Sequence, residues 1–203
     1  MEIKKFDKKQ DVIDYQKNLN DDSNRRVLTT QRELRRVEDI IHLKHYFPTA
    51  KTVLCVGARD NSEVTTFIKY GYLAEGIDVC TESELITRMD VSDLTEDFGY
   101  FDIVYCSHVL EHISDAEVAL NKINKISNQG VFITLPIVDR PPDIEHPTVY
   151  EIMKHDPSTN FKDNPYAWKD FNMFEPYKMV YNCYRKGMTE DFEIATIFKL
   201  IKG

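Results

Sequence analysis

The chain lacks the paired cysteines that mark a redox motif. Its 203 residues contain only four cysteines, and no two of them form a CxxC pair. Cys55 and Cys106 fall inside apolar runs, where a free cysteine behaves as a small hydrophobic residue. A reducing, cytoplasmic setting is the simplest interpretation of this usage.

Positive charge is also in deficit. The sequence has 26 Lys and Arg residues against 34 Asp and Glu residues, which gives a formal net charge of -8. Broad binding to a phosphate backbone needs an excess of cationic surface. A nucleic-acid partner is therefore not expected.

Long apolar runs are missing as well. No stretch approaches the roughly 20 apolar residues that a membrane-spanning helix needs. The first ten residues, MEIKKFDKKQ, lack the apolar core of a signal peptide. We expect no membrane partner and a cytoplasmic location.

The length suits one well-buried domain with appendages. Most of the prolines fall in one late segment that interrupts the alternation of strands and helices, and such a long loop is typical of a lid or binding element. We therefore expect a single domain over residues 1–203. Its parts are an N-terminal arm and helix (1–48), a central core (49–135), an insertion or lid (136–177) and closing strands (178–203).

Five short apolar runs predict strands that alternate with helices, which indicates a mainly parallel sheet. These runs are Lys51–Val56, Leu73–Val79, Ile86–Met89, Phe101–Cys106 and Val131–Leu135, the last stopped by Pro136. The segment between the second and third runs is too short for an ordinary crossover helix. We expect at most one helical turn there, near Glu82–Leu85.

Helical spacing predicts an amphipathic helix from Arg32 to Phe47. Capping-box spacing marks two further helix starts, at Asp60 with Glu63 and at Ser114 with Glu117. Two last apolar runs, Lys178–Tyr184 and Glu193–Ile201, predict a closing hairpin. The apolar face of the first helix is expected to consist of Leu34, Val37, Ile40, Ile41 and Leu43.

The stretch FDIVYCSHVLEHI, from Phe101 to Ile113, is the most informative part of the chain. A buried strand turns abruptly polar at Ser107 and His108. Ligands in open α/β sheets bind outside the carboxyl ends of the strands. This cluster is therefore the first candidate for a functional site.

Five segments in order resemble the motifs of class I S-adenosylmethionine-dependent methyltransferases, and they are most similar to the type 11 small-molecule group. They read VLCVGARDN, GIDVC, MDVSDL, FDIVYCSHVLEHI and GVFITLP. The resemblance implies an α/β, Rossmann-like, seven-stranded and mainly parallel sheet, with an antiparallel closing hairpin and helices on both faces. It also implies that S-adenosyl-L-methionine is the cofactor and that residues 49–135 bind it.

The resemblance assigns cofactor-binding positions residue by residue. It places Gly57, Ala58 and Arg59 in the turn under the amino-acid moiety of the cofactor, and Asp78 and Val79 at its ribose. Asp90 and Val91 are placed near the adenine, and Ser107 with His108 beside the methionine part and the sulfonium.

The glycine turn departs from the pattern of that family, which is usually acidic-x-Gly-x-Gly-x-Gly. Cys55 occupies the acidic position, and Arg59 and Asn61 stand where two glycines are expected. A dinucleotide is disfavoured because the G-x-G-x-x-G pattern is absent and Asp60 would repel a phosphate. One alternative is therefore a binding protein that has the fold without turnover.

Methyl transfer needs mostly proximity, alignment and a dry pocket. A general base is required only if the nucleophile is a hydroxyl or a protonated amine. His108 and His112 are the candidate bases, and Glu111 could orient a ring nitrogen or the cofactor ammonium. Alternatively, His112 could stack at the start of the next helix and Glu111 could be a favourable helix N-terminal charge.

The late insertion supplies the candidate acceptor-binding residues. His146, Tyr150 and Trp168 could line a pocket over the sheet, or they could serve only to pack the insertion down. His146 and His155 match no metal-binding spacing, so no metal site is predicted.

The sequence thus predicts a methyltransferase that acts on an oxygen or nitrogen atom of a small-molecule or glycan acceptor. A second alternative is a methyltransferase for a macromolecule, with the N-terminal arm and the insertion as docking surfaces. The oligomeric state is not predicted.

Overall fold

A computed structural model of the chain describes residues 2–5, 10, 11, 14, 29–137, 148–151, 177–186 and 192–200. In chain order the helices and strands are β1 (Glu2–Lys5), α1 (Thr29–Tyr46), β2 (Thr52–Val56), α2 (Asn61–Lys69), β3 (Leu73–Asp78), β4 (Ile86–Arg88), β5 (Phe101–Ser107), α3 (Ala116–Ile126), β6 (Ser127–Ile137), β7 (Thr148–Glu151), β8 (Tyr177–Lys186) and β9 (Phe192–Leu200). Three single 3-10 turns lie in the loops: Val91–Asp93 and Glu96–Phe98 lie between β4 and β5, and Leu110–His112 follows β5.

Seven of these strands form one sheet in the order β4-β3-β2-β5-β6-β9-β8. The first five strands of this order, β4 to β6, run parallel to one another, whereas β9 is antiparallel to both β6 and β8. The order reverses between β2 and β5, so their carboxyl ends open a crevice at the switch point. The predicted mainly parallel sheet with an antiparallel closing hairpin is confirmed.

Both faces of the sheet are covered by helices, as predicted. On one face α3 packs through Ala116, Ala119, Leu120, Ile123 and Ile126, all fully buried. On the other face α1 and α2 contribute Ile40, Leu43, Val64 and Phe67, and Phe47 follows directly after α1. The strands alternate accordingly, since the side chains of successive residues point to opposite faces.

The short connection before β4 is confirmed as well. Residues 79–85 form bends without a helical turn, and β4 still pairs parallel with β3. Two hydrogen bonds between the backbones of Ser83 and Ile86 close this loop.

Two expected boundaries were wrong. Pro136 does not end its strand, because β6 runs on to Ile137. Pairing with β5 stops at Thr134 while pairing with β9 continues, and proline is tolerated where a strand is an edge on one side. The side chain that caps α3 belongs to Asp115 instead of Ser114, since it accepts the hydrogen bond from the Val118 N–H.

A second, two-stranded sheet joins distant parts of the chain. β1 pairs antiparallel with β7, with Ile3 opposite Tyr150 and Lys4 opposite Val149. β7 in turn lies against the Leu110–His112 turn and against β6. The N-terminal segment and the insertion therefore meet beside the main sheet, and we call this pair the β1–β7 ribbon.

Within the described residues, no helix is long and apolar enough to cross a membrane.

The apolar face of α1 differs from the expected one. Ile40 and Leu43 are fully buried, whereas Leu34 and Ile41 are 65% and 60% exposed. The two adjacent isoleucines thus have opposite environments on the same helix.

We predict that Ile40→Ala lowers the free energy of unfolding by about 2–5 kcal/mol, because it removes buried methylenes and leaves a cavity. Ile41→Ala is the matched control and should change it by about 0.5 kcal/mol or less. Urea denaturation measures both values. Equal losses in the two variants would contradict this placement of α1.

Candidate active site

The turn after β2 needs a glycine at only one position. Gly57 has φ +71, in the left-handed region that favours glycine. Among the described residues, His108 is the only residue other than glycine with a positive φ. Arg59 and Asn61 therefore adopt ordinary backbone conformations. The missing glycines at 59 and 61 therefore leave the backbone of the turn unstrained.

The turn is attached to the loop that follows β3. The backbone N–H groups of Gly57 and Ala58 both donate to the Ile77 carbonyl, at 2.8 and 3.1 Å. The Thr81 hydroxyl donates to the Arg59 carbonyl at 2.7 Å. The Ser83 hydroxyl donates to Asn61 Oδ1 at 2.6 Å. These bonds hold the turn directly beside the end of β3.

Asp78, the last residue of β3, is largely buried at this edge of the sheet. Its Oδ1 atom accepts hydrogen bonds from the N–H groups of Cys80 and Thr81, at 2.7 and 2.8 Å. No hydrogen bond from the described residues reaches the other oxygen, Oδ2. Asp78 is thus a fixed carboxylate with one oxygen left for a ligand, and Val79 follows it in the loop.

Asp90 and Val91 follow the end of β4, two and three residues beyond Arg88. Asp90 begins a 3-10 turn and accepts hydrogen bonds from the Ser92 N–H and hydroxyl, at 2.9 and 2.6 Å. Val91 is buried in the core on the α3 face. Both residues lie at the same carboxyl edge as Asp78, as expected from their place in the chain.

Val109 covers the glycine turn from the neighbouring strand end. A Cβ atom at Gly57 would lie 2.4 Å from Val109 Cγ2, closer than real contacts allow. The turns after β2 and β5 therefore touch at the topological switch point, and glycine is required there for space as well as for φ.

Ser107 and His108 form the polar end of β5. The Ser107 hydroxyl shares a 2.7 Å hydrogen bond with the Thr134 hydroxyl on β6. His108 has φ 54, and its N–H donates to the Thr134 carbonyl at 3.1 Å. A histidine in the left-handed region is uncommon and is typical of a functional constraint.

The His108 ring lies between two carboxylates. Its Nδ1 is 3.3 Å from Glu111 Oε1, and its Nε2 is 2.7 Å from Glu193 Oε2. Burial acts to lower the pKa of His108, but the hydrogen bonds and charges of Glu111 and Glu193 outweigh it and raise that pKa to about 10. Burial likewise acts to raise the pKa of Glu193, and the contacts with His108 and Arg185 lower it.

Glu111 is only 2% exposed, and its Oε2 atom has no hydrogen-bond partner among the described residues. His112 is partly buried, and its Nε2 lies 3.9 Å from Glu111 Oε1. Both residues belong to the short turn against which β7 lies. A buried carboxylate and a partly buried imidazole thus lie side by side on this turn.

Comparison with protein families decides the assignment of the chain. The sequence model of a methyltransferase domain matches residues 28–177, well over half of the chain. This chain belongs to the methyltransferase-domain family. A search of curated proteins found no match.

Solved structures agree on the fold. A Burkholderia thailandensis 1,6-didemethyltoxoflavin-N1-methyltransferase with S-adenosylhomocysteine has a TM-score of 0.63 at 15% identity, covering 88% of this chain and 83% of its own. The magnesium protoporphyrin IX methyltransferase of Synechocystis PCC 6803 with S-adenosylmethionine has a TM-score of 0.63 at 12% identity, covering 95% and 97%. The N-methyltransferase NodS of Bradyrhizobium japonicum WM9 with S-adenosylhomocysteine has a TM-score of 0.62 at 10% identity, covering 95% and 100%.

The predicted acceptor-binding residues of this methyltransferase are only partly described. Tyr150 lies in β7, next to the Leu110–His112 turn. His146 and Trp168 lie outside the described residues. Their proposed role stays a prediction.

Sequence reasoning missed three charged residues around the His108 turn of this methyltransferase. Asp39 of α1, Arg185 of β8 and Glu193 of β9 are all buried. Glu193 lies in a mostly apolar strand, and a charge at such a position is a signal that it is buried with a partner, because buried charges are paired in native structures. Asp39 and Arg185 lie in elements with several other charged residues, where the sequence gives no such signal.

We predict that Gly57→Ala destabilises the methyltransferase by about 1–3 kcal/mol, because the new methyl group overpacks against Val109 and the backbone is left-handed. Gly71→Ala is the matched control, since Gly71 has φ +91 but its new methyl group would meet no atom within 4 Å beyond the adjoining residues. Thermal or urea unfolding compares the two. The double variant Gly57→Ala/Val109→Ala should recover the difference, and no recovery would mean that Val109 is not the obstacle.

Proposed function

We propose that this methyltransferase binds S-adenosyl-L-methionine and methylates an oxygen or nitrogen atom of a small-molecule or glycan acceptor. The observation that carries the proposal is the contact between the glycine turn and the end of β3. Because Gly57 and Ala58 both donate to the Ile77 carbonyl, the turn and the Asp78 carboxylate share one edge of the sheet. The structures of similar fold that contain this cofactor or its product support the same interpretation.

The turn suits a cofactor without a phosphate. The Asp60 carboxylate caps α2 by accepting the hydrogen bond from the Ser62 N–H at 2.8 Å. Burial acts to raise the pKa of Asp60, but hydrogen bonds from Ser62 and the charges of Arg36 and Arg32 lower it. A charged carboxylate thus already occupies the helix N-terminus that would otherwise bind a pyrophosphate.

We propose that different residues of the chain bind the three parts of the cofactor. Gly57, Ala58 and Arg59 would hold its amino-acid part, Asp78 and Val79 its ribose, and Asp90 and Val91 its adenine. Ser107 would line the side that faces the acceptor. The cofactor supplies a methyl group on a positively charged sulfur, and an edge rich in carboxylates favours such a cation.

The acceptor side is proposed to be the Leu110–His112 turn. Glu111 Oε2 could accept a hydrogen bond from the acceptor or from the cofactor ammonium. Since His108 has its pKa raised to about 10, it is protonated near neutral pH and is a poor proton acceptor. We therefore assign proton removal from a hydroxyl or ammonium nucleophile to His112.

The β1–β7 ribbon is proposed to form one wall of the acceptor site. It lies against the Leu110–His112 turn, and Tyr150 belongs to it. The proposed roles of His146 and Trp168 extend this wall into the insertion. The net charge of -8 favours a small-molecule or glycan acceptor over a nucleic acid. The cytoplasmic location stays a prediction.

Calorimetric titration with S-adenosylhomocysteine tests the cofactor assignment. We expect binding by the wild-type chain and a loss of about ten- to hundredfold in affinity for Asp78→Asn, because a hydrogen bond to a charged group contributes about 1.5–3 kcal/mol. The control is Glu75→Ala, an exposed carboxylate on the same strand. No binding at millimolar ligand would overturn the proposal, and an unchanged affinity of Asp78→Asn would overturn the role of Asp78.

His112→Ala tests the proposed base. It should bind S-adenosylhomocysteine with an affinity within about twofold of wild type, yet transfer methyl groups about a hundredfold more slowly. The acceptor for the assay comes from a screen of hydroxyl- and amine-bearing metabolites and sugars with radiolabelled S-adenosylmethionine. His45→Ala, at an exposed position of α1, is the control. Wild-type rates in His112→Ala would exclude this residue as the base.

A further inference from the structure

We propose that Glu193 and Arg185 of the closing hairpin, held by Asp39 of α1, are positioning residues that fix the His108–Glu111 turn in its binding orientation. The inference rests on the proposed function, since it concerns the same turn. It goes further because it assigns a role to three elements outside the cofactor-binding core.

The first step is the backbone of His108. A non-glycine residue in the left-handed region costs about 1–3 kcal/mol and persists only where surrounding contacts over-determine it. The Thr134 carbonyl fixes the His108 N–H at 3.1 Å. The two carboxylates at 3.3 and 2.7 Å hold the ring from opposite sides. His108 is therefore held at three points.

The second step is the protonation of the ring. A carboxylate oxygen accepts hydrogen bonds and cannot donate them while it is ionised, and a neutral imidazole has only one N–H. Because Nδ1 and Nε2 both face carboxylates, both ring nitrogens donate only when the ring is an imidazolium. The geometry thus favours the charged form of His108 as long as both carboxyl groups are ionised.

The third step is the fixation of Glu193. Arg185 Nε donates to Glu193 Oε1 at 2.5 Å, and Arg185 Nη1 donates to Asp39 Oδ1 at 2.6 Å. Asp39 Oδ2 accepts the hydrogen bond of the buried Tyr105 hydroxyl at 2.8 Å. Arg185 and Glu193 are also cross-strand partners in the β8–β9 pairing. Glu193 is therefore fixed by Arg185, and Arg185 is in turn fixed by Asp39.

The fourth step is the charge balance around the ring. The buried groups are the carboxylates of Glu111, Glu193 and Asp39 and the cations of His108 and Arg185. At the rim, Arg35 and Glu38 form their own pair at 3.2 Å, with Arg35 Nε 3.9 Å from Glu193 and Glu38 3.6 Å from Arg185. On the acceptor side, His112 lies 3.9 Å from Glu111.

Three buried carboxyl groups thus face two buried cations. Burial raises the pKa of Asp39, although the charge and hydrogen bond of Arg185 act to lower it. At the Glu111 end, Oε2 has no partner among the described residues. Removing one partner of a buried charge network leaves the others uncompensated. The network therefore keeps Glu111 oriented with one oxygen directed to a ligand that donates a hydrogen bond or carries positive charge.

The experiment follows the His108 ring by NMR in a chain with ¹⁵N-labelled histidines, with the signal assigned by loss in His108→Asn. Asparagine is chosen because it tolerates the left-handed region. In the wild type, both ring nitrogens should carry protons at pH 7.5, and the ring should titrate near pH 10. In Glu193→Gln the midpoint should fall by about one pH unit or more, since one carboxylate is lost.

The pH dependence of stability gives a second readout. A histidine whose folded pKa is raised above its unfolded value of about 6.5 stabilises the fold fully below that value. This contribution is lost as the pH rises towards about 10. The free energy of unfolding should therefore decline over this range in the wild type, and less steeply in Glu193→Gln.

Glu33→Gln is the matched control. Glu33 is an exposed carboxylate of α1 paired with Lys69 at 3.7 Å. It is not a member of the network, and its change should leave the His108 midpoint unaltered.

A neutral His108 ring in the wild type at pH 7.5, or an unchanged midpoint in Glu193→Gln, would overturn the inference. If circular dichroism shows that Glu193→Gln does not fold, the protonation state of the His108 ring in the wild type still tests the inference. Failure of the wild type to bind S-adenosylhomocysteine, with His108 charged, would instead overturn the proposed function and leave the positioning network standing.

Discussion

The 2.7 Å contact between the His108 ring and the Glu193 carboxylate is the interaction on which the site depends. It joins the end of β5, where the polar cluster begins, to a strand that contributes nothing to the glycine turn. Through Arg185 the same contact reaches α1 on one face of the sheet. A buried charge network usually adds little stability compared with apolar packing, and its main effect is to favour one arrangement over others. Here that arrangement is an uncommon backbone conformation at a strand end.

Local patterns in the sequence predicted the sheet well. Short apolar runs, glycine turns and the lack of space for a helix before β4 are all features of neighbouring residues, and each predicted the correct element. The errors at Pro136 and Ile41 have a different origin. Whether Pro136 can stay in a strand depends on where β5 stops, and which isoleucine of α1 is buried depends on how the helix lies on the sheet. Neither fact is contained in the spacing of nearby residues.

The candidate site likewise contains features that depend on neighbouring residues and features that depend on distant parts of the chain. The positions of Gly57, Asp78 and Ser107 at strand ends could be predicted, because each ends or follows an apolar run. The partners of Glu193 and Asp39 could not, since the bonds His108–Glu193 and Arg185–Asp39 span 85 and 146 residues of sequence. Arg59 and Asn61 show the reverse case. They depart from the expected glycines, yet the backbone there needs no positive φ, and their side of the turn is attached to Thr81 and Ser83.

The β1–β7 ribbon has a consequence for the order in which the molecule assembles. Most of the chain lies between its two strands, and contacts of such high sequence separation form late because loop closure must precede them. During synthesis the N-terminal strand leaves the ribosome long before its partner exists. The five parallel strands, which carry Gly57, Asp78 and Ser107 at or next to their ends, all precede β7 in the chain. On a nascent chain this edge of the sheet is therefore present while the side that flanks His112 still lacks the ribbon.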